Sequence, residues 1–222
     1  MGLNQAKGNM YDFVTHTWNT VKGKCFHDCS YCYMKRFGPL RPARFDETEL
    51  RTDLSAGEFI FVGSSNDLFS IGILDEWIKA TLAYMCKFNT RYLLQSKNPE
   101  RMVEYQEYFP AGAVFCTTIE TNRWYPEIMG NAPRPEARAA GMACLIGKRY
   151  VTIEPIIDFD LDPMIELIKR CEPIQVNIGA DSKNSGLPEP KLEKIMLLAE
   201  QLREFTTTEK KRNLKRLEAN AK

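Results

Sequence analysis

The chain has 222 residues, 44% hydrophobic and 27% charged, a composition that suits a globular protein long enough to bury a core without disulfides. Its net charge of +1 excludes a global field that would draw in nucleic acid or a membrane surface. No apolar run approaches the roughly 18–20 residues of a membrane span, and the first residues lack a basic-then-apolar secretion pattern, so a cytoplasmic protein with no membrane partner is expected.

In chain order, residues 11–18 read as a strand that runs into a cysteine-rich loop. Residues 58–63 are a short apolar run closed by Gly63, the pattern of a buried strand. Residues 75–87 place Trp77, Ile78, Leu82 and Met85 at helical spacing, with Asp75 as the N-cap. A third strand follows at 91–95, then a helix at 99–108 opened by Pro99. Residues 113–119 read as a fourth strand, and 135–146 as an Ala-rich helix stopped by Gly147. Strands at 149–153 and 174–178 flank a helix at 163–171, and an amphipathic helix covers 190–205.

Six βα units in succession predict a parallel sheet with helices packed on it and right-handed crossovers. A closed eight-fold barrel needs about 250 residues. The expected fold class is therefore α/β, an incomplete (β/α)6 TIM-like barrel with parallel strands. Residues 1–205 read as one domain. Residues 206–222 carry +4 and read as a basic C-terminal tail or helix, solvated or frayed at its end.

Seven cysteines, an odd number in a chain expected in the cytoplasm, argue against a disulfide framework. Cys86, Cys116, Cys144 and Cys171 are scattered in apolar surroundings and read as small buried hydrophobes. Cys25, Cys29 and Cys32 are different. They form a C-x3-C-x2-C loop, with Tyr31 before the last thiol, inside a segment (residues 22–44) that carries +5. Three thiolates on one tight loop leave a fourth position of an iron–sulfur cube open, as a catalytic metal keeps an open position. A zinc knuckle completed by His27 or His16 fits the same spacing.

This spacing resembles the signature of the radical S-adenosylmethionine superfamily. The resemblance implies a 4Fe–4S cluster on Cys25, Cys29 and Cys32, S-adenosylmethionine on the open iron, and reductive cleavage to a 5′-deoxyadenosyl radical that abstracts hydrogen from a substrate. It also implies an electron donor, a reductase or a flavodoxin- or ferredoxin-type protein.

Ligands of parallel α/β folds bind beyond the carboxyl ends of the strands. After the second strand stand Gly63, Ser64, Ser65, Asn66 and Asp67, where the superfamily often carries a Gly-Gly-Glu-Pro type motif for the amino end of the cofactor. The turn departs from that pattern but still offers hydroxyls, an amide and a carboxylate; its bland reading is a capped turn. Lys97 follows the third strand and suits a carboxylate, a phosphate or plain solvation. Glu120 follows the fourth and suits the ribose or ammonium of the cofactor, or an exposed pair with Arg123. Glu154, before Pro155, and Asn177 and Gly179 close the fifth and sixth strands and are expected on the adenosine side or in the substrate pocket.

Asn66-Asp67-Leu68-Phe69, the run 94–101, Thr118-Ile119-Glu120, Ile153-Glu154-Pro155 and the run 177–181, in that order, resemble a small radical S-adenosylmethionine family carried by phages and mobile elements, distantly similar to spore photoproduct lyase. Tyr31, Gly63, Ser64, Ser65, Asn66, Glu120, Asn177 and Gly179 are the expected cofactor contacts. Asp67, Lys97 and Glu154 are the expected catalytic or substrate groups. A nucleic-acid base or nucleotide is the leading substrate class, because basic residues and aromatics (Trp18, Phe26, Tyr31, Tyr33, Phe37) crowd the cysteine loop. The alternatives are a peptide or small metabolite as substrate, and a non-catalytic zinc- or cluster-stabilised binding module.

Overall fold

The structure is a computed structural model and describes residues 3–182 and 185–219. Met1 and Gly2 at the start, and Lys222 of the basic tail, lie outside the described residues. The strands are β1 (Asn4–Gln5), β2 (His16–Trp18), β3 (Val21–Lys22), β4 (Arg44–Phe45), β5 (Phe59–Val62), β6 (Arg91–Gln95), β7 (Ala113–Thr118), β8 (Lys148–Ile153), β9 (Gln175–Ile178) and β10 (Thr207–Lys210). The helices are α1 (Asp75–Met85), α2 (Pro99–Val103), α3 (Pro126–Met129), α4 (Pro135–Cys144), α5 (Leu161–Arg170), α6 (Leu192–Leu202) and α7 (Lys215–Ala219).

One sheet runs β1-β2-β5-β6-β7-β8-β9-β10. All neighbours from β2 to β10 are parallel, and β1 is antiparallel to β2. The expected α/β architecture is present as an open, mostly parallel sheet; the barrel is not closed. β3 and β4 form a separate antiparallel ribbon whose intervening residues, 23–43, contain the cysteine loop.

The central strands are apolar because both faces are covered. Helix residues such as Ile78, Leu82 and Met85 of α1, or Met164, Ile165 and Ile168 of α5, pack with Ile60, Leu94, Phe115, Val151, Ile153 and Val176 on one face. A smaller cluster lies on the other face, where Tyr11 and Val14 of the N-terminal segment cover Phe59, Leu93, Val114 and Cys116. Above it, Tyr11 donates to Gln95 at 2.8 Å and Gln95 to Thr118 at 3.1 Å, so this face turns polar toward the strands' carboxyl ends.

Several sequence expectations are corrected. Of residues 11–18 only His16–Trp18 form a strand. Of the four scattered cysteines expected to be buried, Cys116 and Cys171 are, whereas Cys86 and Cys144 are exposed. Residues 207–210 are not a solvated tail: they pair in register with β9 as a seventh parallel strand, and Leu214 beyond them is buried. Their side chains are polar because β10 is an edge strand, so hydropathy gave no strand pattern. Asp75 is the first residue of α1 and Leu74 the N-cap; the Asp75 carboxylate instead accepts from Tyr105 at 2.6 Å and Arg101 at 3.0 Å. The expected helix at 99–108 is α2 followed by a separate 3-10 turn at Gln106–Tyr108.

Candidate active site

The cysteine loop leaves the carboxyl end of β2 and is clasped by α3, a short helix the sequence pattern did not reveal. Ser30 N donates to Ile128 O at 2.9 Å, Asn131 N to His27 O at 2.7 Å and Asn131 Nδ2 to Phe26 O at 3.1 Å. Gly130 makes this approach feasible: its φ is +61°, and a Cβ there would stand 2.2 Å from His27 O. Cys29 is buried, its Sγ 3.4 Å from Met129 O; Cys25 and Cys32 are half-buried, and none of the three is in a disulfide. Burial, with the Asp67 carboxylate nearby, pushes the Cys25 thiol up to about 11. Burial also raises Cys29, opposed by the charge of Lys97.

Beneath the loop, four expected site residues meet two that the sequence did not single out as partners. Glu120 is fully buried. Its carboxylate accepts from Arg138 Nη1 at 2.6 Å and from the Tyr31 hydroxyl, with Lys97 Nζ 4.0 Å away. Burial alone would raise the Glu120 pKa; the charges of Arg138 and Lys97 bring it below its ordinary value. Arg123, the expected partner of Glu120, pairs with Asp158 and Asp160 instead, at 2.6 Å each. Lys97 lies over the Tyr31 ring at 5.4 Å. Burial opposes its charge, but Cys29, Glu120 and Asp67 hold its pKa above the usual lysine value.

Asp67 accepts from His27 Nε2 at 2.9 Å and from Lys97 N at 2.8 Å. Burial pushes this carboxyl up, and His27 with those hydrogen bonds brings it below its ordinary range. His27 therefore has one ring nitrogen committed to Asp67. His16 is turned to Thr15 at 3.0 Å from its Nδ1.

The turn after β5 is held by a residue the sequence did not point to. Asn19 Oδ1 accepts from Ser65 N at 2.9 Å and from Ser64 Oγ at 3.2 Å, and Tyr33 donates to Ser64 O at 2.8 Å. Asn66 is buried and donates to Gly23 O at 3.1 Å, which ties the turn after Gly63 to the cysteine loop. Its Oδ1 has no hydrogen-bond partner among the described residues.

Glu154 belongs to a second group, beyond β8. Its carboxylate accepts from Asn9 Nδ2 at 2.6 Å, Asn213 Nδ2 at 2.7 Å and Lys211 Nζ at 2.6 Å. Gly179 leaves room for this carboxylate, since a Cβ there would stand 2.9 Å from it and from Asn213 Oδ1. Asn177 sits one layer lower, opposite Thr152 in the β8–β9 register. The fourteen expected site residues thus fall in three places: the cysteine–Tyr31–Asp67–Lys97–Glu120 cluster, the 63–66 turn tied to it, and the Glu154–Gly179 group with Asn177 below.

Among the described residues, no group of three or more His, Cys, Asp or Glu side chains is arranged to hold a metal ion. The chemistry of the donors still suits an iron–sulfur cluster: three thiols outside any disulfide within eight residues, one of them buried beside the ammonium of Lys97, whose charge favours thiolate.

No family model matches the chain, and no curated protein sequence matches it significantly. Solved structures do. A spore photoproduct lyase carrying a tyrosine-to-phenylalanine substitution superposes with a TM-score of 0.68 over 94% of this chain and 80% of its own, at 10% identity. The chain shares the fold of spore photoproduct lyase. A second spore photoproduct lyase structure, a double mutant with bound S-adenosylmethionine and dinucleoside spore photoproduct, has a TM-score of 0.57 over 92% of this chain and 66% of its own, at 11% identity. The lyase is a radical S-adenosylmethionine enzyme, so the likeness is to that fold. No helix among the described residues is long and apolar enough to cross a membrane.

Proposed function

We propose that this chain is a radical S-adenosylmethionine enzyme. The observation that carries the reading is that the three-thiol loop sits at the carboxyl edge of an open parallel sheet whose fold is that of spore photoproduct lyase. Cys25, Cys29 and Cys32 would hold a 4Fe–4S cluster. When bound, the cluster and S-adenosylmethionine supply a one-electron cleavage of the sulfonium and a 5′-deoxyadenosyl radical able to abstract hydrogen.

The protein's own residues prepare the place. α3 and Asn131 fix the loop backbone, and Lys97 offsets thiolate charge from below. The 63–66 turn would face the methionine end: Asn66 Oδ1, an acceptor with no hydrogen-bond donor among the described residues, suits an ammonium. Glu120 acts from behind. Its oxygens are engaged by Arg138 and Tyr31, so it positions Tyr31 and Lys97 and would contact a ribose or ammonium only if one of those donors gave way. Lys97 meets an anionic group of cofactor or substrate. Glu154 and Gly179 line the adenosine side, with Asp67 orienting His27 and the Lys97 backbone.

The substrate class we favour is a base or nucleotide, with a flavodoxin- or ferredoxin-type protein as electron source in the cytoplasm. Anaerobic reconstitution with iron and sulfide, followed by dithionite and S-adenosylmethionine, tests the chemistry by mass spectrometry of 5′-deoxyadenosine. Wild type should form it and Cys29→Ala should lose both cluster and product. A Cys29→Ala protein that keeps both overturns the proposal.

A further inference from the structure

Residues 23–43, between β3 and β4, hold the three thiols and carry four cations, Lys24, Lys35, Arg36 and Arg41, against one carboxylate, Asp28. Lys24 and Lys35 both pair with Asp28, at 2.9 Å each, so one charge is left over between them. Arg36 and Arg41 are exposed and form no ion pair among the described residues. The neck of the loop keeps the cations together, since Lys24 N donates to Arg41 O at 2.8 Å. On the clasp side an exposed carboxylate, Glu127 of α3, is matched by an exposed cation, Arg134. The whole chain carries only +1, so this positive field is local to the cysteine loop.

The same surface exposes apolar side chains. A 3-10 turn, Tyr33–Phe37, starts at Cys32 and has Lys35 and Arg36 in its last turn. Phe37 is 61% exposed, and Arg36 lies over the Phe37 and Tyr33 rings at 4.6 and 5.7 Å. Phe26, next to Cys25, is exposed too. Its ring lies on Gly72, where a Cβ would stand 2.5 Å from it, and Ile71 beside Gly72 is 68% exposed. That turn is held in place by Arg101, whose Nη2 donates to Ile73 O at 2.6 Å. Exposed aromatics with arginine are the composition of a protein–protein contact. Arg36 takes a face of both Tyr33 and Phe37, and Phe26 is seated on Gly72. The patch therefore lacks the run of open ring faces on which a single strand of bases stacks.

We infer that this patch, with Arg36, Arg41 and Phe37 as its anchors, docks an acidic one-electron carrier protein. The inference rests on the radical-enzyme reading, because the carrier supplies the electron that such an enzyme needs. Cys25 and Cys32 are half-buried, so the thiol loop lies close under the patch. Electron transfer weakens steeply with distance, which requires the carrier to seat near those thiols. One electron leaves the carrier, which is oxidised by one, and enters the cluster on Cys25, Cys29 and Cys32, which is reduced by one; no bond forms or breaks at the interface. Contacts of this kind are small, below about 1,200 Å², and charge sets their encounter rate.

Dithionite needs no docking surface, which makes it the control. The reconstituted full chain is reduced anaerobically by reduced flavodoxin or by dithionite, and loss of the cluster's visible absorbance is followed by stopped flow. In Arg36→Glu/Arg41→Glu the flavodoxin rate should fall about tenfold or more. Phe37→Ser should lower it without a change of charge, and dithionite should reduce every variant as it does wild type. Raising salt from about 50 to about 300 mM should slow wild type with flavodoxin and have little effect on the double variant. If the double variant assembles no cluster, Phe37→Ser and the salt dependence of wild type decide. The inference is overturned if flavodoxin reduces the double variant at the wild-type rate, or if the wild-type rate is indifferent to salt. A single-stranded oligonucleotide that binds wild type and not the double variant, where flavodoxin shows no preference, assigns the patch to nucleic acid and overturns it too. Any of these results beside dithionite-driven 5′-deoxyadenosine refutes the docking surface alone; a chain that assembles no cluster refutes the radical reading and the docking surface with it.

Discussion

Arg138→Met removes the cation from an ion pair in which both side chains are fully buried. Arg138 gives Nη1 to Glu120 at 2.6 Å and to Thr118 O at 3.0 Å, and Nε to Pro133 O at 2.6 Å. The variant leaves a buried carboxylate with only the Tyr31 hydroxyl and Lys97 near it. Breaking one side of a buried pair costs about 3–5 kcal/mol. Because Lys97 and Tyr31 stay, the low end applies, about 3 kcal/mol, or roughly 6–12 °C in melting temperature for a chain of this size. The pH dependence gives the mechanism. Wild-type Glu120 has a folded pKa below its unfolded value, so its contribution is present above the unfolded pKa of about 4.3 and fades as pH falls through the folded pKa. Without Arg138 burial dominates and the folded pKa rises above the unfolded one. The carboxyl then costs stability at neutral pH and stops doing so once protonated. Urea melts at pH 7 and pH 5 should therefore show the gap between wild type and variant narrowing with acid. Glu120→Leu with Arg138→Met should recover most of the loss, since apolar replacement of a buried pair is often neutral. An Arg138→Met protein within about 1 kcal/mol of wild type at pH 7 would refute the reasoning.

Two further outcomes follow from the same geometry. Gly130→Ala puts a Cβ against His27 O at a positive φ, so the cysteine loop must lift from α3; a loss of about 1–3 kcal/mol in urea melts and fewer iron atoms per chain after reconstitution are expected, and unchanged iron loading would show that the clasp does not shape the thiol loop. Truncation after Phe205 removes β10, the buried Leu214 and the Lys211 and Asn213 partners of Glu154, so thermal melting should fall by more than about 10 °C, whereas a truncated chain melting within a few degrees of the full one would restore the tail reading.

Most of the sheet was legible because its inner strands are apolar on both faces. Runs such as Phe59–Val62 and Ala113–Thr118 need no context to be recognised. β10 was not, because Thr207, Glu209 and Lys210 face solvent at an edge and only their backbone pairing makes them a strand. The cysteine loop stands out in the sequence by three thiols and their spacing. Its clasp does not: α3 is four residues long, too short to leave a periodic pattern. The partners of the strand-end carboxylates were the least legible. Arg123 lies three residues from Glu120 and is the obvious local choice, yet the fold sends it to Asp158 and Asp160. Arg138 sits in an Ala-rich helix where a cation reads as surface, and only tertiary packing of α4 on β7 buries it against Glu120.

The same distinction separates the two halves of the candidate site. Around the thiols, the polar side chains largely satisfy one another: Tyr31, Glu120, Arg138, Lys97, Asp67 and His27 form one connected group, with Asn66 Oδ1 left over at its edge. Such a group is rigid, and rigidity is what the proposed cluster site would need, because misplacement by about 1 Å can cost a hundredfold in rate. On the β8–β10 side the balance differs. Glu154 is saturated, but Asn213 Oδ1 beside it and Asn177 Nδ2 one layer lower have no hydrogen-bond partner among the described residues. Unmet hydrogen-bonding capacity within a few residues of a saturated carboxylate is a poor use of buried polar groups for stability alone. It is a sensible one where a ligand completes them.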